Sequence, residues 1–342
     1  MNFDDKVWEN GIKQKLWQKN DLILVACSGG VDSMGLLEFF HLWQTRKRIK
    51  LIAVHCDHQI RGNESEQDAQ NVKKYCEGKS IPIIVKKLGV LEYQVKFGGN
   101  LEEIARNLRY QALNEVAREY GVNRIALGHH LGDQAETVFI HLLRGSGTFR
   151  GMKEKEGILI RPFLSVTKSD IINFVERNKV PYWEDLSNQD CNFKRNWIRN
   201  QLIPMIEMAE PAVQKTVSRW ARIQESEEEF WEVHTSNWLK KHSLKSQDGI
   251  SIPIKSFQLL TLAEKRRVIR VILSERKNSL RGIELSHVES VIGIAEKNYG
   301  NSQIGLPSAM IAKVFEERLY ILLNKKEENE ICGTRYKSSF VE

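Results

Sequence analysis

Ser28, Gly29, Gly30, Val31, Asp32 and Ser33 follow the apolar run Leu22 to Cys27 and precede Met34 to Phe40, which has helical spacing. This order predicts a strand, a tight turn and a helix N-terminus, where small residues, free N–H groups and a helix dipole converge on one anion. A nucleotide phosphate fits. The two serines add hydroxyl donors, and Asp32 makes sense beside phosphate when a cation such as Mg²⁺ lies between them. A second chemical cluster runs from Gly128 through His129 and His130 to Asp133 and Glu136. The two carboxylates are three apart at a helix start, so they share a face. They could hold Mg²⁺, bind a cationic amine and take its proton, or simply complement the helix dipole. His129 and His130 read either as catalytic groups or as end-of-strand residues bonded to backbone. Arg109 falls roughly 60° from the centre of the apolar stripe formed by Leu101, Ile104, Ala105, Leu108, Ala112 and Val116. Its guanidinium should be partly buried and needs an anion, a carbonyl or a structural salt bridge. Arg106 should lie on the surface.

The elements that position these groups are legible as strand-length apolar runs at Leu22 to Cys27, Leu51 to Cys56, Ile81 to Val85, Arg124 to Gly128 and Ile158 to Ile160. Helical segments separate most of them, which predicts an α/β fold with an open, doubly wound, mostly parallel sheet. Ligands in such sheets sit at the carboxyl ends of the strands. Those ends carry the Ser28 to Ser33 turn, Asp57 to Arg61, and the His129 to Thr137 segment. Arg61, Arg144 and Arg150 occupy loops at that end. Thr167-Lys168-Ser169-Asp170 predicts a capped helix to about Lys179. Arg195 and Arg199 share one helical face, where anion binding is plausible. Past Pro204 the texture becomes helical and charge-rich. The expected organisation is a catalytic domain over 1–205, a helical connector over 206–248, a small α+β domain over 249–325 and a polar tail over 326–342. Lys265, Arg266, Arg267 and Arg270 read as a solvated helix face.

Bulk properties exclude several classes. The chain has 342 residues, a formal charge of +7 and five cysteines without any close pair. That cysteine pattern argues against a disulfide framework and a zinc knuckle and suits a reducing compartment, so a cytoplasmic location is expected. No apolar stretch approaches membrane-spanning length. The mild basic excess permits a polyanionic partner. Gly78-Lys79-Ser80 is no Walker A loop, because Lys73 occupies the place of the first loop glycine.

The Ser28 to Ser33 string resembles the pyrophosphate-binding loop of the N-type ATP pyrophosphatases, which cleave ATP between the α and β phosphates to adenylate a substrate oxygen. Together with His55 to Arg61, Gly128 to Thr137, Arg144-Gly145-Ser146-Gly147 and Glu184 to Arg199, the first 205 residues or so resemble the bacterial tRNA(Ile)-lysidine synthetase family. The second domain is similar through Leu285 to Val288 and the Gly305-Leu306-Pro307 turn. The chain ends too early for the further C-terminal domain of longer members. Gly132 stands where the family often has a second acid, and Cys56 departs from the usual residue.

The resemblance implies adenylation of the C2 oxygen of the wobble cytidine in the CAU-anticodon tRNA(Ile), with release of pyrophosphate. The ε-amine of free lysine then displaces AMP to form lysidine. It implies that the loop Ser28–Ser33 holds ATP phosphates with Mg²⁺ at Asp32, and that His55, Arg61 and His129 line the nucleotide. Asp133 and Glu136 would orient lysine and help deprotonate it, while Arg109 and Arg199 would activate the substrate. Aromatic and arginine surfaces near the cleft are expected for the unstacked base. Whether the protein is a monomer or a homodimer stays open. Three rivals remain: a tRNA thiolase of the same superfamily, which would need paired cysteines; a small-molecule amide synthetase; and a non-catalytic nucleotide- or RNA-binding module.

Overall fold

A computed structural model describes residues 2–60, 63–144, 151–183, 194–246, 248–277, 282–297 and 302–323. The chain divides into two units, Met1–Ile223 and Gln224–Glu342.

The first unit runs α1 (Phe3–Lys13), β1 (Leu22–Ala26), α2 (Val31–Lys47), β2 (Lys50–Asp57), α3 (Asn63–Gly78), β3 (Ile83–Lys87), α4 (Val90–Phe97), α5 (Leu101–Glu119), β4 (Arg124–Ala126), α6 (Leu131–Leu143), β5 (Lys155–Glu156), β6 (Leu159–Ile160), α7 (Lys168–Arg177), α8 (Lys194–Trp197), a π-helical turn (Ile198–Leu202) and α9 (Ile203–Ala209). The unit boundary falls inside α10 (Val213–His242). The sheet order is β3-β2-β1-β4-β6-β5, parallel except for the short β5. Strand β1 alternates its side chains between two cores. Ile23 and Val25 face Phe39, Phe40, Phe163 and Phe174, whereas Leu24 faces Ile52, Leu113, Val116 and Ile125. A strand buried on both faces reads as a continuous apolar run, as Leu22 to Cys27 does. The chain leaves β1 toward β2 on one side, and β4 lies on the other. This reversal makes the carboxyl ends of β1 and β4 a topological switch point, the place where such sheets bind ligands.

The second unit continues with β7 (Leu244–Lys245), β8 (Gly249–Pro253), α11 (Ile254–Gln258), α12 (Leu262–Lys277), α13 (Leu285–Lys297), β9 (Gln303–Leu306), β10 (Met310–Phe315) and β11 (Arg318–Leu323). Its antiparallel sheet has the order β7-β8-β11-β10-β9. Met310, Ala312, Val314, Leu319 and Ile321 alternate inward against Phe257, Ile269, Leu273, Val288 and Ile292. One covered face with polar residues opposite is the usual antiparallel solution. Among the described residues no helix is long and apolar enough to cross a membrane.

Candidate active site

Glycine sets the shape of the turn after β1. Gly29 adopts φ +96°, a conformation that L side chains rarely take. Ser33 closes the turn from within: its Oγ accepts from Ser28 N–H at 3.1 Å, donates to the Gly30 carbonyl at 2.9 Å and lies 3.2 Å from Ser28 Oγ. Gly30 caps α2, so Val31, Asp32 and Ser33 form the helix's first turn. Val31 turns toward the core and supports the turn rather than facing it. Trp183 N–H donates to the Gly29 carbonyl at 3.0 Å. His55 is buried, and burial lowers its pKa, so a neutral ring donates from Nδ1 to the Cys27 carbonyl at 2.9 Å. That bond anchors the start of the turn to β2.

The second cluster abuts the first because Gly128 has no side chain. A Cβ there would stand 3.1 Å from the Asp32 carbonyl carbon and oxygen and 3.2 Å from Ser33 N. The backbone can therefore pass the turn and start α6 beside it. His130 caps α6: its Nδ1 accepts from Gly132 N–H at 2.9 Å, and its own N–H donates to Asp133 Oδ2 at 2.9 Å. With Nδ1 accepting, Nε2 carries the proton. Nε2 stands 3.6 Å from Asp133 Oδ2 and 4.0 Å from Asp32 Oδ1. One imidazole thus spans the turn and the acid pair.

Asp133 and Glu136 are both buried. Each faces two guanidiniums. Arg195 donates to Glu136 at 2.8 Å and to Asp133 at 3.3 Å. Arg199 donates to Glu136 at 2.5 and 3.0 Å and to Asp133 at 3.0 Å. Burial works to raise the Asp133 pKa, yet His130, Arg195, His129 and the His130 N–H hold it down to about 2. Burial opposes the Arg199 charge, but its bonds to Glu136 and the nearby Asp133 and Asp32 raise its pKa. The anion that Arg195 and Arg199 hold here is the acid pair itself.

His129 is the centre of a cationic wall. Arg161 Nε donates to its Nδ1 at 3.3 Å, and Arg161 is fixed by the Lys153 carbonyl at 2.7 Å and Glu156 at 3.3 Å. Burial lowers the His129 pKa to about 3; Asp133 opposes the shift, and Arg161, Arg109 and Arg195 add to it. A ring neutral at physiological pH cannot donate as an imidazolium. Arg109 is half-buried with its guanidinium beside Tyr110, and its Nε has no hydrogen-bond partner among the described residues. A buried unpaired donor costs free energy unless something binds it, so Arg109 offers a place for an incoming oxygen. Arg106 is exposed.

A cation would fit at Asp32. Its Oδ1 is buried and accepts no hydrogen bond among the described residues, while Lys168 Nζ holds Oδ2 at 2.6 Å. Among the described residues no three His, Cys, Asp or Glu side chains group as a metal cage. A hard cation there would complete its shell from phosphate oxygens and water, the habit of Mg²⁺.

Arg144 ends α6 and is exposed. Arg61, Arg150 and the 184–193 segment lie outside the described residues. Sequence reasoning missed the bridging position of His130, the Arg161 support of His129, the Trp183 tie and Lys168. Arg161 follows a strand end, the signal that found the other clusters, but β6 is only two residues long.

Comparison with known proteins identifies the family of the chain. The PP-loop domain model matches residues 5–206. A tRNA(Ile)-lysidine synthase of Chlorobaculum tepidum is 32% identical over 306 residues, covering 87% of this chain and 90% of that protein. The bifunctional protein TilS/HprT of Listeria monocytogenes is 31% identical over 324 residues, covering 92% of this chain and 50% of that protein. This chain therefore spans about half the length of such bifunctional relatives. The U34-tRNA thiolase NcsA of Methanococcus maripaludis, solved with its [4Fe-4S] cluster, superposes with a TM-score of 0.55 at 21% identity, covering 65% of this chain and 78% of that one, a likeness of fold. The chain belongs to the PP-loop family, in the branch of the tRNA(Ile)-lysidine synthases.

Proposed function

We propose that this protein is an ATP-dependent carbon–nitrogen ligase that converts the wobble cytidine of CAU-anticodon tRNA(Ile) to lysidine in the cytoplasm. The observation that supports this reading is His130 Nε2 standing 4.0 Å from Asp32 and 3.6 Å from Asp133, so that the Ser28–Ser33 turn and the acid pair are neighbours. The named relatives add that the family acts on tRNA(Ile).

Ser28–Ser33 would cradle the β and γ phosphates through backbone N–H groups and the α2 dipole. Asp32 would hold Mg²⁺, which neutralises the phosphates. The cytidine O2 attacks the α phosphorus, the bond to the β phosphate breaks, and pyrophosphate leaves. Arg109, with its unpaired Nε, would take up the charge that develops on the transferred phosphate. Lysine Nε then attacks C2, the C2–O bond breaks, and AMP leaves with the former cytidine oxygen. Asp133 and Glu136 would bind the ammonium and help remove its protons once Arg195 and Arg199 no longer neutralise them. The neutral His129, whose Nδ1 accepts from Arg161, gives no proton and can donate one hydrogen bond from Nε2 to a ribose or base.

The described cysteines fit the thiolase alternative poorly. Burial pushes the Cys27 and Cys56 thiols up to about 11 and Cys76 up to about 12, the reverse of what sulfur transfer needs.

Incubation with unmodified tRNA(Ile), ATP, Mg²⁺ and labelled lysine tests the reading. Label in a nucleoside of cytidine-plus-lysine mass is expected. ATP consumed without lysine transfer would overturn it.

A further inference from the structure

Lys168 is the first residue of α7, and its ammonium lies 2.6 Å from Asp32. The two helices meet there because Gly35 lets them close: a Cβ on Gly35 would stand 3.0 Å from Val175 and 3.2 Å from Ile171. Leu131 N–H donates to the Val166 carbonyl at 2.9 Å, which ties the approach to α7 to the start of α6. The N-termini of α2 and α7 therefore converge beside the phosphate turn, with one lysine between them.

The pair is wet. The Lys168 side chain is 43% exposed and that of Asp32 27%. Ion pairs of this kind contribute about 0–1 kcal/mol to stability, so a purely structural role explains little. Lysine is also a strongly hydrated point charge on a flexible stem, able to swing by several ångströms and suited to phosphate. Meanwhile Asp32 Oδ1 stays buried without a hydrogen bond. A metal arriving at Asp32 brings charge that repels the ammonium, and the phosphates it carries offer that ammonium new partners.

We propose that Lys168 is a pyrophosphate-binding residue that neutralises Asp32 while the turn is empty and moves to a β- or γ-phosphate oxygen when the metal–nucleotide complex binds. The proposal rests on reading Ser28–Ser33 as the ATP site. It assigns Lys168 two opposed effects: competition with a free metal ion, and support of the bound phosphate.

The test uses the 342-residue protein, its Lys168→Met and Lys168→Arg variants, and two probes: Mn²⁺ alone, followed by electron paramagnetic resonance, and magnesium pyrophosphate, followed by calorimetry. Lys168→Met is expected to bind Mn²⁺ about 3-fold more tightly, because a half-exposed ion pair no longer competes. It should bind magnesium pyrophosphate about 10-fold or more weakly, the value of a lost charge-assisted hydrogen bond. Lys168→Arg should recover most of the pyrophosphate affinity. Both affinities unchanged, or both falling together with the melting temperature, would overturn the proposal and leave the ATP site standing. Failure of the unaltered protein to bind magnesium pyrophosphate would overturn the ATP-site reading and the proposal with it.

Discussion

Arg199 grips Glu136 with two parallel hydrogen bonds, Nε to Oε1 at 2.5 Å and Nη2 to Oε2 at 3.0 Å. Glu136 is only 2% exposed, so the pair is sealed on the carboxylate side. The acids that would receive lysine are thus already neutralised by arginine. Lysine must displace guanidiniums, or wait until an adenylated substrate draws them away. Lysine is therefore expected to bind the ligand-free protein weakly. In calorimetric titration, the Arg195→Ala, Arg199→Ala double variant should bind lysine more tightly than the unaltered protein when ATP and tRNA are absent. Equal or weaker binding would show that the arginines do not guard the acid pair.

Removing a carboxylate leaves those arginines short of partners. Glu136→Ala is expected to destabilise the first unit by about 3 kcal/mol, the scale for breaking a buried ion pair from one side. Adding Arg199→Ala should cost much less in that background than alone, because the two residues share one interaction. Urea denaturation of the four proteins of this cycle checks both expectations.

Stability should depend on pH in two windows. His129 is held below its ordinary 6.5, down to about 3, so the unfolded chain binds a proton that the folded chain refuses between those values. Stability should fall as pH drops from about 6.5 toward 3, by up to about 1.4 kcal/mol per pH unit from this group. Asp133, depressed from 3.8 to about 2, adds stability that is complete above 3.8 and lost as pH falls through 2. Denaturation midpoints measured from pH 7 to 3 should show a shallower slope in His129→Gln than in the unaltered protein.

Backbone geometry gives a sharper variant of the loop. Gly29→Ala must place a side chain at φ +96°, at a cost of about 1–2 kcal/mol. Pyrophosphate release should fall by at least tenfold in Gly29→Ala while circular dichroism stays unchanged, and Asp32→Ala should abolish release. Undiminished release in either variant would mean that the loop does not hold the phosphates.

Much of the site was readable in the chain because strand ends mark it. The turn after β1 and the His129 to Glu136 segment after β4 follow apolar runs that could only be buried strands. Arg109 could be placed by helical angle alone, and it is half-buried as that angle required. Sequence could not say what the charges pair with. Arg195 and Arg199 read as an anion site, but the partner is Asp133 and Glu136, some sixty residues away in the chain. Lys168 sits in a recognisable helix cap, with Thr167 accepting from Asp170 N–H at 3.2 Å. A cap fixes where a helix starts and says nothing of which helix lies beside it. Only the α2–α7 packing at Gly35 brings Lys168 to Asp32.

The basic run of α12 is likewise decided by partners. Lys265 pairs with Glu296 at 3.0 Å, Arg266 with Glu289 at 2.6 Å, and Arg267 with Glu228. Because these charges are already compensated, Lys265→Ala and Arg266→Ala should leave the salt dependence of tRNA binding almost unchanged. A drop of about one in the slope of log K against log salt for each substitution would instead show that these residues meet phosphates.

The central claim concerns one oxygen atom. With ¹⁸O placed at C2 of cytidine 34 in the tRNA, adenylation followed by displacement must carry the label away on the leaving group. Mass spectrometry of the products is expected to find one ¹⁸O in AMP, none in pyrophosphate, and a lysine-bearing nucleoside free of label. Label retained in the nucleoside, or AMP formed without it, would contradict the account.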